Sequence, residues 1–206
     1  MKRILVGMPT WSGQIPIEVM FSLMSLTVPE GYQVNFGYVK RTPIDSARNA
    51  LAEKMLNEGY DYILFCDDDT ICNQDSLELM LSIDKPVVIP PIPARKNGGE
   101  GRLCLFDEVW SGQLAEVLEE RRVGGGGMAF TLIKREALEA VAKKYGAPFA
   151  LGEWDGKKYS EDTSFCRRAG EVGFEIWTMP SVTPAHIGDS TVYVYEGGGI
   201  ESYVLG

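Results

Sequence analysis

The first part of the chain alternates between short apolar runs and longer segments whose apolar positions recur at helical intervals. The apolar runs predict strands at residues 3–8, 32–39, 61–66 and 86–90, and the helical spacing predicts helices at 15–26, 45–56 and 74–83. Asp45 stands where it would cap the second of these helices. Strands and helices that alternate at these lengths predict a three-layer α/β/α fold with a mainly parallel central sheet, which binds ligands beyond the carboxyl ends of its strands.

The second part of the chain is less regular. Glycine-rich stretches within residues 94–112 and 121–127 predict loops with little backbone stiffness. Around them, strands are predicted at 128–133 and 174–179, and helices at 135–145 and 160–171. From residue 188 onward we expect a loosely held tail, with one strand at 191–195 followed by a flexible glycine run. A chain of 206 residues holds one domain with a substantial core.

Composition narrows the function classes. A formal net charge of −9 argues against a sequence-independent nucleic-acid binder, which needs a basic surface to displace counterions from phosphates. No apolar stretch is long enough for a membrane span, and the first apolar run is too short for a signal peptide. The four cysteines lack a CxxC spacing and there is one histidine, so a structural zinc site is not expected. Reduced core cysteines at positions 66 and 166 fit a cytoplasmic protein.

Three consecutive aspartates, Asp67, Asp68 and Asp69, follow the apolar run that predicts the third strand. Adjacent carboxylates repel one another unless a cation compensates them, and the carboxyl end of a strand in such a sheet faces a ligand crevice. A divalent metal site is therefore the main hypothesis. The alternative is that Asp68 and Asp69 make a turn and cap the next helix, because aspartate is common at both positions.

Two more groups stand at places where chemistry is expected. Glu161 and Asp162 follow Ser160, a good N-cap, so they lie in a first helical turn where the helix dipole stabilises negative charge. That alone is an adequate structural reason for two acids. His186 follows a predicted strand in a turn of small residues, where a structural histidine that bonds a backbone carbonyl is the plain interpretation.

Taken in order, these parts resemble the nucleotide-sugar glycosyltransferases of the GT-A (nucleotide-diphospho-sugar transferase) fold, with a layout closest to the family 2 type. The resemblance covers nearly the whole chain. It is carried by Pro9-Thr10, Arg48-Asn49, the three aspartates, the glycine run before Met128-Ala129-Phe130, Glu161-Asp162 and His186-Ile187-Gly188.

The resemblance implies a metal-dependent transfer of a sugar from a UDP- or GDP-sugar to the hydroxyl group of a glycan, lipid-linked or protein acceptor. Asp67 and Asp69 would hold Mn²⁺ or Mg²⁺ on the donor diphosphate, with Asp69 the more direct ligand. Asp67 and Asp68 would also lie near the nucleotide. His186 becomes a candidate third ligand, which would favour Mn²⁺ because nitrogen donors suit transition ions better than Mg²⁺.

In inverting enzymes of this fold, an acid at the start of the late helix is the general base that takes the proton of the acceptor hydroxyl. That role would fall to Asp162, with Glu161 positioning the acceptor or the loop. The same order of residues resembles retaining families too, in which Asp162 would not be the base. The stereochemical outcome therefore stays open.

On the nucleotide side, the resemblance implies that Pro9, Thr10 and Trp11 bind the base and ribose. Arg48 would reach the base or a phosphate, although a surface arginine on a helix is the commoner explanation. Gly126 and Gly127 would let the backbone approach the donor sugar, or simply form a slack connection.

Two further side chains are candidates for substrate contacts. Arg95 stands where it would meet the donor, although an ordinary solvated loop explains it equally well. Trp154 would form a platform for an acceptor sugar, or else plug the core.

The expected organisation is one domain over residues 1–206. Residues 1–93 would bind the nucleotide, 94–187 would hold the acceptor and the catalytic groups, and 188–206 would form the flexible tail.

Two other functions compete with that of a glycosyltransferase. A sugar nucleotidyltransferase shares a similar sheet, but its glycine-rich signature after the first strand does not match Trp11-Ser12-Gly13-Gln14. A non-catalytic nucleotide- or sugar-binding module is the third. The sequence does not indicate an oligomeric state.

Overall fold

The structure is a computed structural model that describes residues 1–93, 103–188 and 191–204. Its helices are α1 (Ile17–Met24), α2 (Ile44–Asn57), α3 (Ser76–Ser82), α4 (Arg135–Tyr145) and α5 (Glu161–Glu171). Its strands are β1 (Lys2–Thr10), β2 (Tyr32–Lys40), β3 (Tyr62–Cys66), β4 (Thr70–Ile71), β5 (Val87–Val88), β6 (Leu105–Phe106), β7 (Arg121–Val123), β8 (Gly125–Gly126), β9 (Phe130–Lys134), β10 (Gly152–Trp154), β11 (Lys157–Tyr159), β12 (Ile176–Thr178), β13 (Ala185–Ile187), β14 (Thr191–Glu196) and β15 (Gly199–Val204).

The central sheet of the described residues has seven strands in the order β2-β1-β3-β9-β5-β12-β7. Five of them run in one direction, because β1 pairs in parallel with β2 and β3, β12 pairs in parallel with β5, and β9 is antiparallel to both β3 and β5. The remaining two, β9 and β7, run the other way. The prediction of a mainly parallel α/β sheet is confirmed.

Alternate residues of the central strands supply two separate cores, one on each face of the sheet. Leu5, Ile63 and Phe65 pack with residues of α2, α4 and α5 on one face. Ile4 and Leu64, with their neighbours, pack with α1 and α3 on the other. Because a strand turns successive side chains to opposite faces, continuous apolar runs are what a sheet covered on both sides requires. The result is the predicted three-layer arrangement.

The carboxyl ends of β1 and β3 lie side by side, since the pairing of these strands runs up to Gly7 and Phe65. The chain that leaves each strand therefore emerges at the same edge of the sheet. A second sheet, in the order β15-β14-β13-β4, begins immediately after the aspartates. Within it, β13 pairs with β4 so that His186 lies opposite Thr70. This pairing brings the late histidine to the early aspartates.

Two hairpins were not predicted from the sequence. Residues 191–204 form two antiparallel strands, β14 and β15, where we expected one strand in a loosely held tail. The turn between them has positive φ at Gly197 and Gly198, the conformation that a two-residue hairpin turn requires. The Tyr195 hydroxyl group also hydrogen-bonds both the N–H and the C=O of Val117. The second hairpin, β10–β11, turns at Asp155 and Gly156, also with positive φ.

The start of α2 also differs from the prediction. Pro43 occupies the N-cap position and the helix begins at Ile44, so Asp45 lies inside the first turn instead of capping it. A carboxylate in the first turn still interacts favourably with the helix dipole. Within the described residues, no helix combines the length and the apolar character needed to cross a membrane.

The glycine run is packed tightly at residues 124–126, so this part of it is not a slack connection. A Cβ on Gly125 would lie 2.9 Å from the ring of Trp110 and 3.0 Å from Sγ of Cys166. A Cβ on Gly126 would lie 2.5 Å from the backbone oxygen of Cys104. Glycine is required at these two positions because neighbouring atoms fill the space of a side chain.

We predict that Gly125→Ala lowers the free energy of unfolding by about 1 to 3 kcal/mol, the usual effect of overpacking a filled core. Gly127→Ala is the matched control, because its Cβ would lie 3.4 Å or more from its neighbours. Urea denaturation of both variants provides the measurement. Equal stability of the two variants would contradict the close packing of neighbouring atoms around Gly125.

Candidate functional site

A cleft lies at the carboxyl edge of β1 and β3, with a volume of about 360 Å³. We call it the aspartate cleft. Six predicted site residues from two separate parts of the sequence line it: Pro9, Thr10, Trp11, Asp67, Asp68 and Asp69. Thr42 and Ile44, which were not predicted, complete the lining. Trp11 is largely exposed there, so its indole ring is accessible to a ligand.

Asp68 is held by the end of β1. The buried hydroxyl group of Thr10 donates a hydrogen bond of 2.6 Å to Oδ2 of Asp68 and accepts one from the N–H of Gly13. Asp68 therefore fixes the loop after β1 to the loop after β3. The two parts of the cleft wall are joined by a hydrogen bond between side chains as well as by the pairing of β1 with β3.

Asp69 and His186 are in direct contact across the second sheet. Nε2 of His186 lies 3.3 Å from Oδ1 of Asp69, and the N–H of Ile187 donates to the Asp69 backbone oxygen at 2.8 Å. Nδ1 of His186 lies 3.3 Å from the backbone oxygen of Pro93. The tautomer that donates from Nδ1 to this carbonyl carries a lone pair on Nε2, on the side of Asp69.

This pair fits a divalent cation. A carbonyl group that accepts from the remote ring nitrogen is the usual support of a metal-binding histidine. In addition, two ligands at adjacent positions of an octahedral ion, with bonds of about 2.1 Å, stand roughly 3.0 Å apart, close to the 3.3 Å between Asp69 and His186. Across the described residues, no three His, Cys, Asp or Glu side chains gather into a complete metal site. Other oxygen ligands would come from a bound substrate or water.

Arg48 lies behind the aspartate cleft and joins the two acidic motifs. Its side chain is only 3% exposed. Nη2 donates to both oxygens of Asp67, at 2.9 and 3.2 Å, and Nη1 donates to Oε1 of Glu161. Arg48 is therefore a buried bridge between the end of β3 and the start of α5, and not a surface arginine. Its spacing from the buried residues Ala52 and Met55, four and seven positions later, is the sequence signal that points to this burial.

Arg48 and Glu161 each shift the pKa of the other. Burial opposes the charge of the guanidinium, but Asp67, Glu161 and Asp162 outweigh it and raise the pKa of Arg48. Burial also raises the pKa of Glu161, while Arg48 acts in the opposite direction on that carboxyl group. Both oxygens of Asp67 face Arg48, so the Asp69–His186 pair fits a cation better than Asp67 does.

Asp162 lines a second space of about 550 Å³, which we call the Asp162 cavity. Its Oδ1 accepts hydrogen bonds from the Ser160 hydroxyl group and from the N–H of Thr163 at 2.6 Å. Its Oδ2 lies 3.7 Å from the place that a Cβ on Gly127 would take, beside the cavity. One carboxylate oxygen is thus held by the helix start, and the other borders the cavity.

Side chains that the sequence analysis missed complete the wall of the Asp162 cavity. They include Phe106, Trp110, Lys157, Lys158 and Tyr159. Both lysines belong to the hairpin β10–β11, whose Asp-Gly turn is a recognisable sequence signal.

Three other predicted residues lie elsewhere. Trp154 is half-buried outside the wall of the Asp162 cavity: it packs near Arg167 of α5 and donates to Glu171. Gly126 packs against Cys104, as described above, and does not line either space. Arg95 lies outside the described residues.

A scan against protein-family models finds no match, and a search of curated proteins finds no similar sequence. Solved structures do match. A197 from STIV superimposes with a TM-score of 0.68 at 17% identity, over 100% of this chain and 95% of that chain. TarS 1–349 from S. aureus in complex with UDP superimposes with a TM-score of 0.53 at 17% identity, over 87% of this chain and 58% of that chain. The complex of TarS 1–349 with UDP-GlcNAc gives 0.53 and 17%, over 87% and 56%.

The chain thus spans nearly all of A197 but less than two thirds of TarS 1–349. These likenesses establish a GT-A-like α/β fold for the chain. At such low identity they do not extend to activity, which has to be argued from the site itself.

We predict that Arg48→Met lowers the free energy of unfolding by on the order of 3 kcal/mol, because it leaves two carboxylates without their buried partner. Lys54→Met is the control on the same helix, since Lys54 forms an exposed pair with Glu58 and its loss should change stability much less than the loss of Arg48. Chemical denaturation measures both. If the two variants lose the same stability, Arg48 is not the buried bridge that the geometry indicates.

Proposed function

We propose that the protein is a metal-dependent glycosyltransferase that moves a sugar from a UDP- or GDP-sugar to a hydroxyl acceptor. The observation that carries the proposal is the bridge from Asp67 through Arg48 to Glu161. This bridge fixes the aspartate cleft next to the helix that presents Asp162. A donor-binding face and a proton acceptor are thereby held in one rigid unit.

The fold supports a nucleotide-sugar donor. TarS, which shares the fold, has been solved with UDP and with UDP-GlcNAc. In open α/β sheets, ligands bind beyond the carboxyl ends of the strands, where the aspartate cleft lies. Pro9 and Thr10 contribute backbone and hydroxyl groups to the cleft, and the exposed ring of Trp11 offers a face on which a nucleobase would stack. These features suit the nucleoside part of the donor.

Asp69 and His186 would hold the divalent cation. Bound there, Mn²⁺ or Mg²⁺ would neutralise the charge that the nucleoside diphosphate gains as the glycosidic bond breaks. A cation is needed for binding as well, because the carboxylates of Asp68 and Asp69 would otherwise repel a diphosphate. The imidazole ligand favours Mn²⁺.

Asp162 would act as the general base of an inverting transfer. Its Oδ1 is fixed by Ser160 and Thr163, so Oδ2 is the oxygen that would accept the proton of an acceptor hydroxyl group in the cavity. That hydroxyl oxygen would form the new bond to the anomeric carbon as the bond to the diphosphate breaks. Glu161 faces Arg48 and would keep the helix start in place instead of touching the acceptor.

The direct test is incubation of the protein with UDP- and GDP-sugars, with and without Mn²⁺, while released nucleoside diphosphate is measured. A transferase releases it slowly to water even without its acceptor. A nucleotidyltransferase instead makes nucleotide sugar and pyrophosphate from a nucleoside triphosphate and a sugar phosphate. A binding module does neither. Nucleotidyltransferase activity or the absence of both activities would overturn the proposal.

We predict that Asp69→Asn abolishes Mn²⁺-dependent binding of UDP, since the amide removes the negative charge from the cation site. Asp75→Asn is the control, because this exposed aspartate at the start of α3 undergoes the same chemical change away from the cleft. Isothermal titration calorimetry measures UDP affinity with Mn²⁺ and with EDTA. Undiminished Mn²⁺-dependent binding in the Asp69 variant would exclude Asp69 as a ligand.

We further predict that Asp162→Asn keeps UDP affinity but slows donor hydrolysis by roughly 10²- to 10⁴-fold, the usual contribution of a general base. Asp155→Asn, in the exposed hairpin turn, is the control because asparagine also tolerates the positive φ found there. Hydrolysis at the wild-type rate in the Asp162 variant would remove this residue from the mechanism.

A further inference from the structure

Helix α1 exposes a second apolar face that the fold does not use. Val19 and Leu23 are buried against the sheet. On the opposite side, Ile17, Met20, Phe21 and Met24 form a stripe at positions i, i+3, i+4 and i+7, and each is between 43% and 70% exposed. A surface helix normally turns polar residues to solvent, so this stripe indicates a surface that is covered in the working protein.

Two aromatic residues of β2 are exposed on the side of the sheet that carries α1. Phe36 and Tyr38 are 59% and 66% exposed. The parallel register places them beside Val6 and Met8, whose side chains lie in the core that α1 covers. Phe36 and Tyr38 are therefore on the same side of the sheet as the α1 stripe. We call these six residues of α1 and β2 the apolar patch.

Strand β2 is also an open edge. It ends the central sheet, and no strand pairs with its outer side in the part of the chain that the structure describes. Strand β2 contains no proline, and its one charged residue is Lys40 at the carboxyl end. Soluble proteins usually protect a long exposed edge with charges, prolines or bulges, because its free N–H and C=O groups are a template for another strand.

We propose that a second copy of this chain covers the apolar patch, with the two β2 strands paired antiparallel across a two-fold axis. The two halves of such an interface are identical, so each patch finds in its partner an equally apolar surface and an equally open edge. The side chains of the patch expose roughly 800 Å² in total, by the usual areas of large apolar residues. That matches the approximately 800 Å² that each partner contributes to a stable interface of standard size.

Charge argues for a protein partner and against a membrane surface. Helices that bind anionic lipid carry lysines and arginines beside their apolar face. Helix α1 has none, and its one charged residue is Glu18. The whole chain carries a net charge of −9, which anionic lipid would repel.

The pairing has a defined centre. If all nine residues of β2 pair with their copies, Phe36 lies at the middle of the strand and faces Phe36 of the second copy. Tyr38 then faces Val34 of the other strand, an aromatic and β-branched pair of the kind that stabilises antiparallel strands. The two central sheets would join into one continuous sheet.

Sedimentation equilibrium tests the proposal. The wild-type chain should sediment with twice its mass of 22.8 kDa at micromolar concentration. Phe36→Lys and Phe21→Glu should each weaken the dimer at least tenfold, since each puts charges into an apolar contact. Leu151→Glu, a change at a similarly exposed residue outside the patch, should leave the dimer intact. Far-UV circular dichroism verifies that all variants are folded.

A wild-type chain that stays monomeric up to about 100 μM, far above a standard interface's Kd, would overturn the proposal. So would a dimer that Leu151→Glu disrupts as strongly as Phe36→Lys. Flotation of a monomeric wild-type chain with vesicles of phosphatidylcholine and phosphatidylglycerol would assign the patch to a membrane instead and would also overturn it.

Cysteine cross-linking tests the register. In a Cys104→Ser background, Phe36→Cys should form an intermolecular disulfide quickly under mild oxidation, because facing residues of antiparallel strands have Cα atoms about 4.5 to 5.5 Å apart. Leu151→Cys should remain mostly monomeric on the same timescale. Equal rates for the two cysteines would exclude the centred pairing of β2.

Discussion

One buried guanidinium organises the site. Arg48 donates to Asp67 at the end of β3 and to Glu161 at the start of α5, so two acidic motifs that lie almost a hundred residues apart in the sequence share one positive charge. Without that charge, carboxylates at the rim of the sheet and at the helix start would repel one another. Because Arg48 is shut off from solvent, its bonds also fix the distance between the aspartate cleft and the Asp162 cavity.

The local parts of the fold were predictable from sequence because their signals are local. Apolar runs and helical spacing gave β1 to β3 and α2 with small errors at their ends. The same patterns implied that Thr10 and the aspartates lie together at the carboxyl edge of the sheet, where both line the aspartate cleft. Two hairpins were missed although the turn residues Asp155-Gly156 and Gly197-Gly198 indicate them. At Gly197-Gly198 the glycine content was interpreted as flexibility, and at Asp155-Gly156 no turn was predicted, whereas both pairs supply the positive φ of a tight turn.

The candidate site was less predictable because its contacts join distant parts of the chain. His186 reaches Asp69 only through the pairing of two very short strands, β4 and β13, which carry no periodic signal of their own. The role of Arg48 depends on burial by elements far along the chain. The glycines before Met128 were assigned to ligand contact or slackness, but close packing against Trp110, Cys104 and Cys166 explains Gly125 and Gly126.

The proposed transfer depends on Asp69 and His186, which would hold the cation that binds the donor diphosphate. Crystals grown with Mn²⁺ and UDP, with diffraction recorded near the manganese absorption edge, test it most directly. We expect an anomalous peak in contact with both Oδ1 of Asp69 and Nε2 of His186, and next to the phosphates of UDP. UDP bound in the aspartate cleft with no manganese peak at these two atoms would contradict it.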